Sequence, residues 1–148
     1  MPDILITGTD RFGSAMTAMT LRVDLATRVA TAAAAEMLRD TVVKKLSEKT
    51  HPPGTRTPSS PGEPPALVSG RLARSVEAGA PRVRGFGDYE ATVGPDVAYG
   101  RVQEEGGDTG RGHASHLPAR PYLAPSVAET APRMREIFGE RLQDAIFL

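Results

Sequence analysis

The run Leu21-Arg-Val-Asp-Leu-Ala-Thr-Arg-Val-Ala-Thr-Ala-Ala-Ala-Ala-Glu-Met-Leu-Arg-Asp-Thr-Val-Val-Lys-Lys-Leu-Ser-Glu-Lys49 decides the architecture. Leu21, Leu25, Val29, Ala33 and Met37 recur every fourth residue, and a second row, Ala30, Ala34, Leu38, Val42 and Leu46, lies beside the first. Residues four apart share a helix face, so the two rows form one broad apolar stripe. Arg22, Arg28, Arg39, Asp40, Lys44 and Lys45 fall mostly outside it. The pattern predicts a helix of roughly 40 Å, longer than a small globule needs. Its alanine-rich middle permits close approach of another backbone. Upstream, Ile4-Leu5-Ile6 predicts an edge strand or an arm laid on a neighbour. Asp10 is a candidate helix cap, although Gly13 weakens the turn that follows.

Downstream, His51 to Ala66 holds six prolines and two glycines. Proline lacks a backbone donor and blocks helix, so this segment predicts a long extended loop, facing solvent or a partner. Ser69 is a candidate cap for a short helical turn through Ser75. Strand-favouring runs follow at Val76–Val83, Tyr89–Val93 and Val97–Val102, separated by Gly85-Phe86-Gly87-Asp88 and Gly94-Pro95-Asp96. They predict an antiparallel meander. A second, glycine-rich loop spans 106–117 and reads as mobile. Leu123, Val127, Ala131, Met134, Phe138, Leu142 and Ile146 then repeat at helical spacing, with Pro121 and Pro125 at the start and Pro132 either within the helix or splitting it. The expected fold is α+β: a long N-terminal helix and a C-terminal helix packed on a small antiparallel β-sheet, with two long loops.

The 148 residues fit a single domain, 1–148. Aromatic residues make up 5% and tryptophan is absent, so the core is small and built from Ala, Val, Leu and Met, leaving room for an oligomer to complete the burial. With no cysteine there are no disulfides and no thiolate metal sites. The Met1–Thr7 segment lacks a basic region and a long apolar run, so no signal peptide is expected there. The longest small-apolar run, Ala32–Ala35, is far too short to span a bilayer, and a soluble protein is expected. Net charge is zero, yet residues 1–75 carry ten Lys/Arg against seven Asp/Glu and residues 76–148 carry eight against eleven. Halves of +3 and −3 either support head-to-tail contact between copies or reflect ordinary surface variation. A dedicated nucleic-acid binder would be markedly basic.

Candidate chemistry is sparse. His113 and His116, with Asp108 nearby, have acceptable metal-ligand spacing, but no regular structure fixes a third ligand. Glu104 and Glu105 are adjacent, and neighbouring side chains diverge in helix and strand alike, so they make no acid–base pair. Neither a Gly-x-Ser-x-Gly elbow nor a phosphate-binding glycine loop occurs. Arg71, Arg74, Arg82 and Arg84 could face DNA, but Phe86 is the one aromatic near them that could stack on a base. A solvated strand face explains Arg82 and Arg84 as well. No catalytic residue, cofactor site or metal site is assigned.

Three strings carry more information: Ser69-Gly-Arg-Leu-Ala-Arg-Ser75, Tyr99-Gly-Arg-Val-Gln-Glu-Glu-Gly-Gly107 and Ala119-Arg-Pro-Tyr-Leu-Ala-Pro-Ser-Val127. In this order, after an alanine-rich helix and a proline-rich loop, they resemble the small neck (head–tail joining) proteins of long-tailed bacteriophages. That family tends to carry Thr/Ser-Gly-x-Leu-x-x-Ser, then Tyr-Ala-x-x-x-Glu-x-Gly-Thr, then Ala-Arg-Pro-Phe-Leu-x-Pro-Ala-Leu. This chain departs at Gly100, Gly107 and Tyr122. The resemblance spans roughly residues 20–145 and implies a virion subunit, made in the host cytoplasm, that forms a ring, expected as a hexamer. Such a ring would join the DNA-filled head to the tail and leave a passage for genomic DNA. The implied partners are further copies of the chain, a head-closing connector, and a tail terminator or tail tube protein; no membrane is involved. Glu104 matches the family's acidic position and would take an arginine partner from Arg71, Arg74 or Arg120. Arg71, Arg74, Tyr99, Glu104, Arg120, Pro121 and Tyr122 are the candidate joining or structural residues. Arg120 offers a planar fork suited to a carboxylate, either within the chain or across an interface. Rival readings are a tail-terminator or minor tail protein of the same particle, a DNA-binding protein, and a metal-dependent hydrolase built on His113 and His116.

Overall fold

The computed structural model describes residues 8–52 and 59–147; the Ile4–Ile6 run and the middle of the proline-rich segment lie outside them. The chain is α+β, with a long N-terminal helix, a C-terminal helix and small antiparallel sheets. Helix α1 spans Thr9–Ser47, twelve residues further upstream than the apolar rows predict. Gly8 occupies the capping position and Asp10 falls in the first turn. Gly13 is carried inside the helix. At 1.5 Å per residue α1 is about 58 Å long. Its hydroxyls are satisfied locally: Thr17, Thr20, Thr27, Thr31 and Thr41 each donate to the carbonyl four residues back.

Helix α4, Leu123–Phe147, runs antiparallel along α1. Lys45 meets Glu129 at 3.0 Å near one end, and Leu25 and Val29 lie beside Arg141 and Ala145 near the other. Both helices place small residues at their buried positions, Ala30, Thr31, Ala34 and Ala35 on α1 and Ser126, Thr130 and Ala145 on α4. The backbone that the alanine run admits is thus the chain's own. Pro132 does not split α4. It sits on the exposed side, where water can satisfy the Ala128 carbonyl that loses its helical donor.

Of the two apolar rows on α1, the one containing Ala30, Ala34, Val42 and Leu46 faces inward. The other starts largely in solvent, Leu21 being 62% and Leu25 60% exposed, with the end of α4 only flanking Leu25 and Val29. The core gathers at the C-terminal third of α1, where Val42 and Leu46 pack with Ala73, Val76 and Tyr122.

The expected single sheet is instead three separate two-stranded antiparallel ribbons. After the short helix α2, Arg71–Arg74, strand β1 (Val76–Ala78) pairs with β4 (Val93–Pro95), placing Val76 opposite Pro95. Nested between them, β2 (Arg82–Gly85) pairs with β3 (Asp88–Glu90), with a register shift between Val83 and Gly85. The third strand expected over Val97–Val102 is absent, because that stretch leads into helix α3, Gly100–Glu105. The glycine-rich segment is not an irregular loop. It forms a hairpin, β5 (Gly107–Thr109) with β6 (Ser115–Leu117), pairing Asp108 with His116.

The described part of the proline-rich segment is also better fixed than its composition suggests. Leu67 N donates to Lys49 O at 2.7 Å and His51 N to Leu67 O at 3.0 Å, closing the segment at its base. Gly62 N donates to Ala119 O, and buried Ser59 accepts from Ala66 N through its hydroxyl. Ser59 therefore departs from the expectation that nothing here is buried. Proline leaves few backbone donors, and these contacts satisfy several of those that remain.

Candidate functional site

The three strings that are far apart in sequence meet around the start of α4. Glu104, near the end of α3, receives the backbone donors that open α4: Tyr122 N at 2.7 Å and Leu123 N at 2.8 Å on one carboxylate oxygen, and Ala124 N at 2.8 Å on the other. The first donors of a helix lack intrahelical acceptors, and the helix dipole favours a negative charge there. The next residue, Pro125, has no N–H to satisfy. Glu104 therefore acts as a cap supplied from another helix. The expected arginine partner is corrected: among the described residues no ion pair joins Glu104 to Arg71, Arg74 or Arg120.

Tyr122 is fully buried, and its hydroxyl donates to Gly100 O at 3.1 Å. Burial, with smaller contributions from the Glu104 charge and Tyr99, pushes its phenol up to about 12. Gly100 is buried beneath it. A Cβ added at Gly100 would stand 2.5 Å from Pro95 Cγ and 3.3 Å from the Tyr122 hydroxyl, so this position needs glycine for space. The backbone closes the same joint, Arg120 N donating to Gln103 O at 2.8 Å. Gly106, at φ 76°, turns the chain away where a side chain would meet Ala119 N at 2.8 Å.

The other candidate residues occupy distinct roles. Arg74 is exposed and donates back to Ser69 O at 2.9 Å, holding the first string on itself. Arg71 is exposed and, with Tyr99, Gln103, Leu46, Leu67 and Leu72, lines a 160 Å³ cavity. Tyr99 precedes α3 and accepts from Gln103 N; it lies in no strand. Pro121 is half-buried between Arg120 and Tyr122. Arg120 is 7% exposed, and its Nε has no hydrogen-bond partner; nor does the buried Oε1 of Gln103. No carboxylate among the described residues pairs with the Arg120 guanidinium.

Sequence reasoning missed Asp24. Its carboxylate accepts from Gly87 N at 2.9 Å and from the Tyr89 hydroxyl at 2.8 Å, pinning the β2–β3 hairpin along α1. The Asp24 hydrogen bond raises the Tyr89 phenol above its ordinary value. One signal was available: Asp24 is the lone acid between Asp10 and Glu36, set among apolar residues.

In the β5–β6 hairpin, His116 Nδ1 lies 2.9 Å from Asp108 Oδ1. Both are exposed. His113 sits in a tight turn at φ 57°. Among the described residues no group of three His, Cys, Asp or Glu side chains could hold a metal ion, and no helix is long and apolar enough to cross a membrane. Comparison with known proteins returns nothing: no family model, no curated protein and no solved structure matches this chain.

Proposed function

We propose that this chain is a structural subunit of a phage neck, assembling into a ring that joins head to tail around a DNA passage. The observation that carries the reading is the convergence of the three strings on one joint. Ala73 of the first, Gly100 and Glu104 of the second, and Tyr122 of the third are parts of one packed and hydrogen-bonded unit. The residues that carry the family resemblance are therefore spent on fixing where α4 starts relative to α1 and α3. That is the demand on a subunit whose task is to present surfaces at fixed angles.

The ring count is taken as six, as the resemblance implies. The working energy is association, with no bond made or broken. The test is a phage carrying a nonsense codon in this chain. Filled heads and separate finished tails that fail to join are the expected outcome, reversed by supplying the chain. Normal joined particles would overturn the reading. Tails of unregulated length would move the chain to the tail-terminator position.

A further inference from the structure

Helix α1 outruns its partner. The last turns of α4 lie beside Arg22, Leu25, Ala26 and Val29, so Thr9 to Thr20 project beyond them, about 18 Å of helix. The projecting segment is not polar all round. Phe12 is 69% and Met16 42% exposed. Eighteen residues make about five turns, so Phe12 falls on the face of buried Ala30, and Met16 on that of buried Ala34. The apolar line that packs inside the subunit continues past the end of α4 with nothing among the described residues upon it.

The same chain carries an uncovered apolar groove. Its floor is Ala34, Ala35 and Leu38 of α1, its walls are Met134 and Phe138 of α4 and the β3 end of the hairpin, and its volume is 530 Å³. Asp88 stands on the rim with no ionic partner among the described residues, and Arg11, next to Phe12, has none either. Ridge and groove cannot meet within one molecule. Met16 and Ala34 are on one continuous helix, about 27 Å apart, and a helix does not fold back on itself.

We propose that the projecting segment Thr9–Thr20 of one copy docks in the α1–hairpin–α4 groove of the next, with Phe12 and Met16 on its apolar floor and Arg11 facing Asp88. The occupant is a second copy because the ridge continues an apolar line already suited to α4, and Arg11 beside the ridge is opposite in sign to Asp88 on the groove's rim, where Arg84 is already paired with Glu90. The contact is head-to-tail, so it repeats, and it closes into a ring when the rotation permits. The inference rests on the ring reading and names the contact that would build it.

The chain has no cysteine, which makes disulfide trapping clean. A Met16→Cys/Ala91→Cys double variant should give a ladder of covalent multimers under oxidation. Each single variant should stop at dimers, and Met16→Cys paired with Val127→Cys should give no ladder beyond them. Arg11→Glu should weaken self-association about tenfold, and adding Asp88→Arg should restore it. Circular dichroism should show both charge variants folded, since these residues are exposed.

Annular particles by electron microscopy without a groove ladder would overturn this contact and leave the ring reading standing. A groove ladder on open filaments would support the contact and defeat the closed ring. Absence of self-association at every concentration, with no ladder, would overturn both.

Discussion

The Glu104 carboxylate and the Pro125 ring dispose of the opening donors of α4 between them: Glu104 accepts from residues 122, 123 and 124, and Pro125 has no donor to offer. Removing the carboxylate leaves three N–H groups to find water in a partly buried joint. Glu104→Ala is expected to destabilise by about 1.5–3 kcal/mol, the range for hydrogen bonds to a charged group. Glu105→Ala, which loses only an exposed pair with Arg101, is expected to cost about 0–0.5 kcal/mol. Urea denaturation of the two variants checks the contrast, and equal losses would remove Glu104 from its capping role.

Gly100 is held to glycine by its neighbours. An alanine methyl group would collide with Pro95 and crowd the Tyr122 hydroxyl. Gly100→Ala is expected to cost about 1–3 kcal/mol, the usual penalty for overpacking, despite its better helix propensity. A variant as stable as the parent in thermal melts would mean that β4 yields more easily than its pairing with β1 suggests.

Tyr122 ties stability to alkaline pH. Below about pH 10 the phenol is neutral both folded and unfolded, so its contribution is constant. Between about 10 and 12 the unfolded chain ionises while the folded one, with Tyr122 pushed up to about 12, keeps its proton. The folded state then binds more protons, and stability falls as pH rises, by about 2–3 kcal/mol over that window. Denaturation midpoints across this range should drop more steeply in the parent than in Tyr122→Phe. Parallel curves would show that the buried hydroxyl contributes no linkage.

The clamp of Asp24 on the hairpin has its own signature. Asp24→Asn replaces the charge-assisted hydrogen bond that raises the Tyr89 phenol with a weaker neutral one and removes the smaller effect of the charge, so Tyr89 should titrate closer to its ordinary value. Hydrogen exchange at the Gly87 amide should quicken at the same time, because that N–H loses a charged acceptor. An unchanged exchange rate would show that the hairpin is held against α1 by other contacts.

The two long helices were legible because a period of 3.6 sustained over many turns has few alternative explanations. Their partnership was less so: the alanine run announced a close neighbour without saying that α4 of the same chain would fill the place. The Val97–Val102 stretch was misread as a strand because valine and tyrosine favour one, and a helix of six residues is too short to show a period. What selects helix there is tertiary, the seating of Tyr122 on Gly100 and the reach of Glu104 to the start of α4. The glycine-rich hairpin was hidden for a related reason. Gly107, Gly110 and Gly112 all take positive φ, so the residues that looked like a sign of mobility are those that let the chain turn and pair. Glu104 was singled out correctly as a residue with a partner. The partner was a helix terminus, which carries no charge in the sequence and so could not be counted among the arginines.

Arg120 remains the most unusual residue of the joint: it is 7% exposed, with an unpaired Nε and no carboxylate beside it among the described residues. An arginine cannot shed its charge to suit such a site. Removing a buried charge that has no ionic partner relieves its desolvation cost, so Arg120→Met is expected to leave the isolated chain at least as stable as the parent. Arg120→Ala should be less stable than Arg120→Met, because it also leaves a cavity. Arg111→Ala, on the exposed turn of the β5–β6 hairpin, should change nothing. On the proposed neck role, the order in a particle-joining assay is expected to differ. Arg120→Met and Arg120→Ala should both impair joining, since an acceptor brought by a neighbour would find no guanidinium, while Arg111→Ala should join normally. A Met variant destabilised by about 3 kcal/mol in the isolated chain would place the acceptor within the subunit, and a Met variant that joins as well as the parent would deny Arg120 any part in the joining surface.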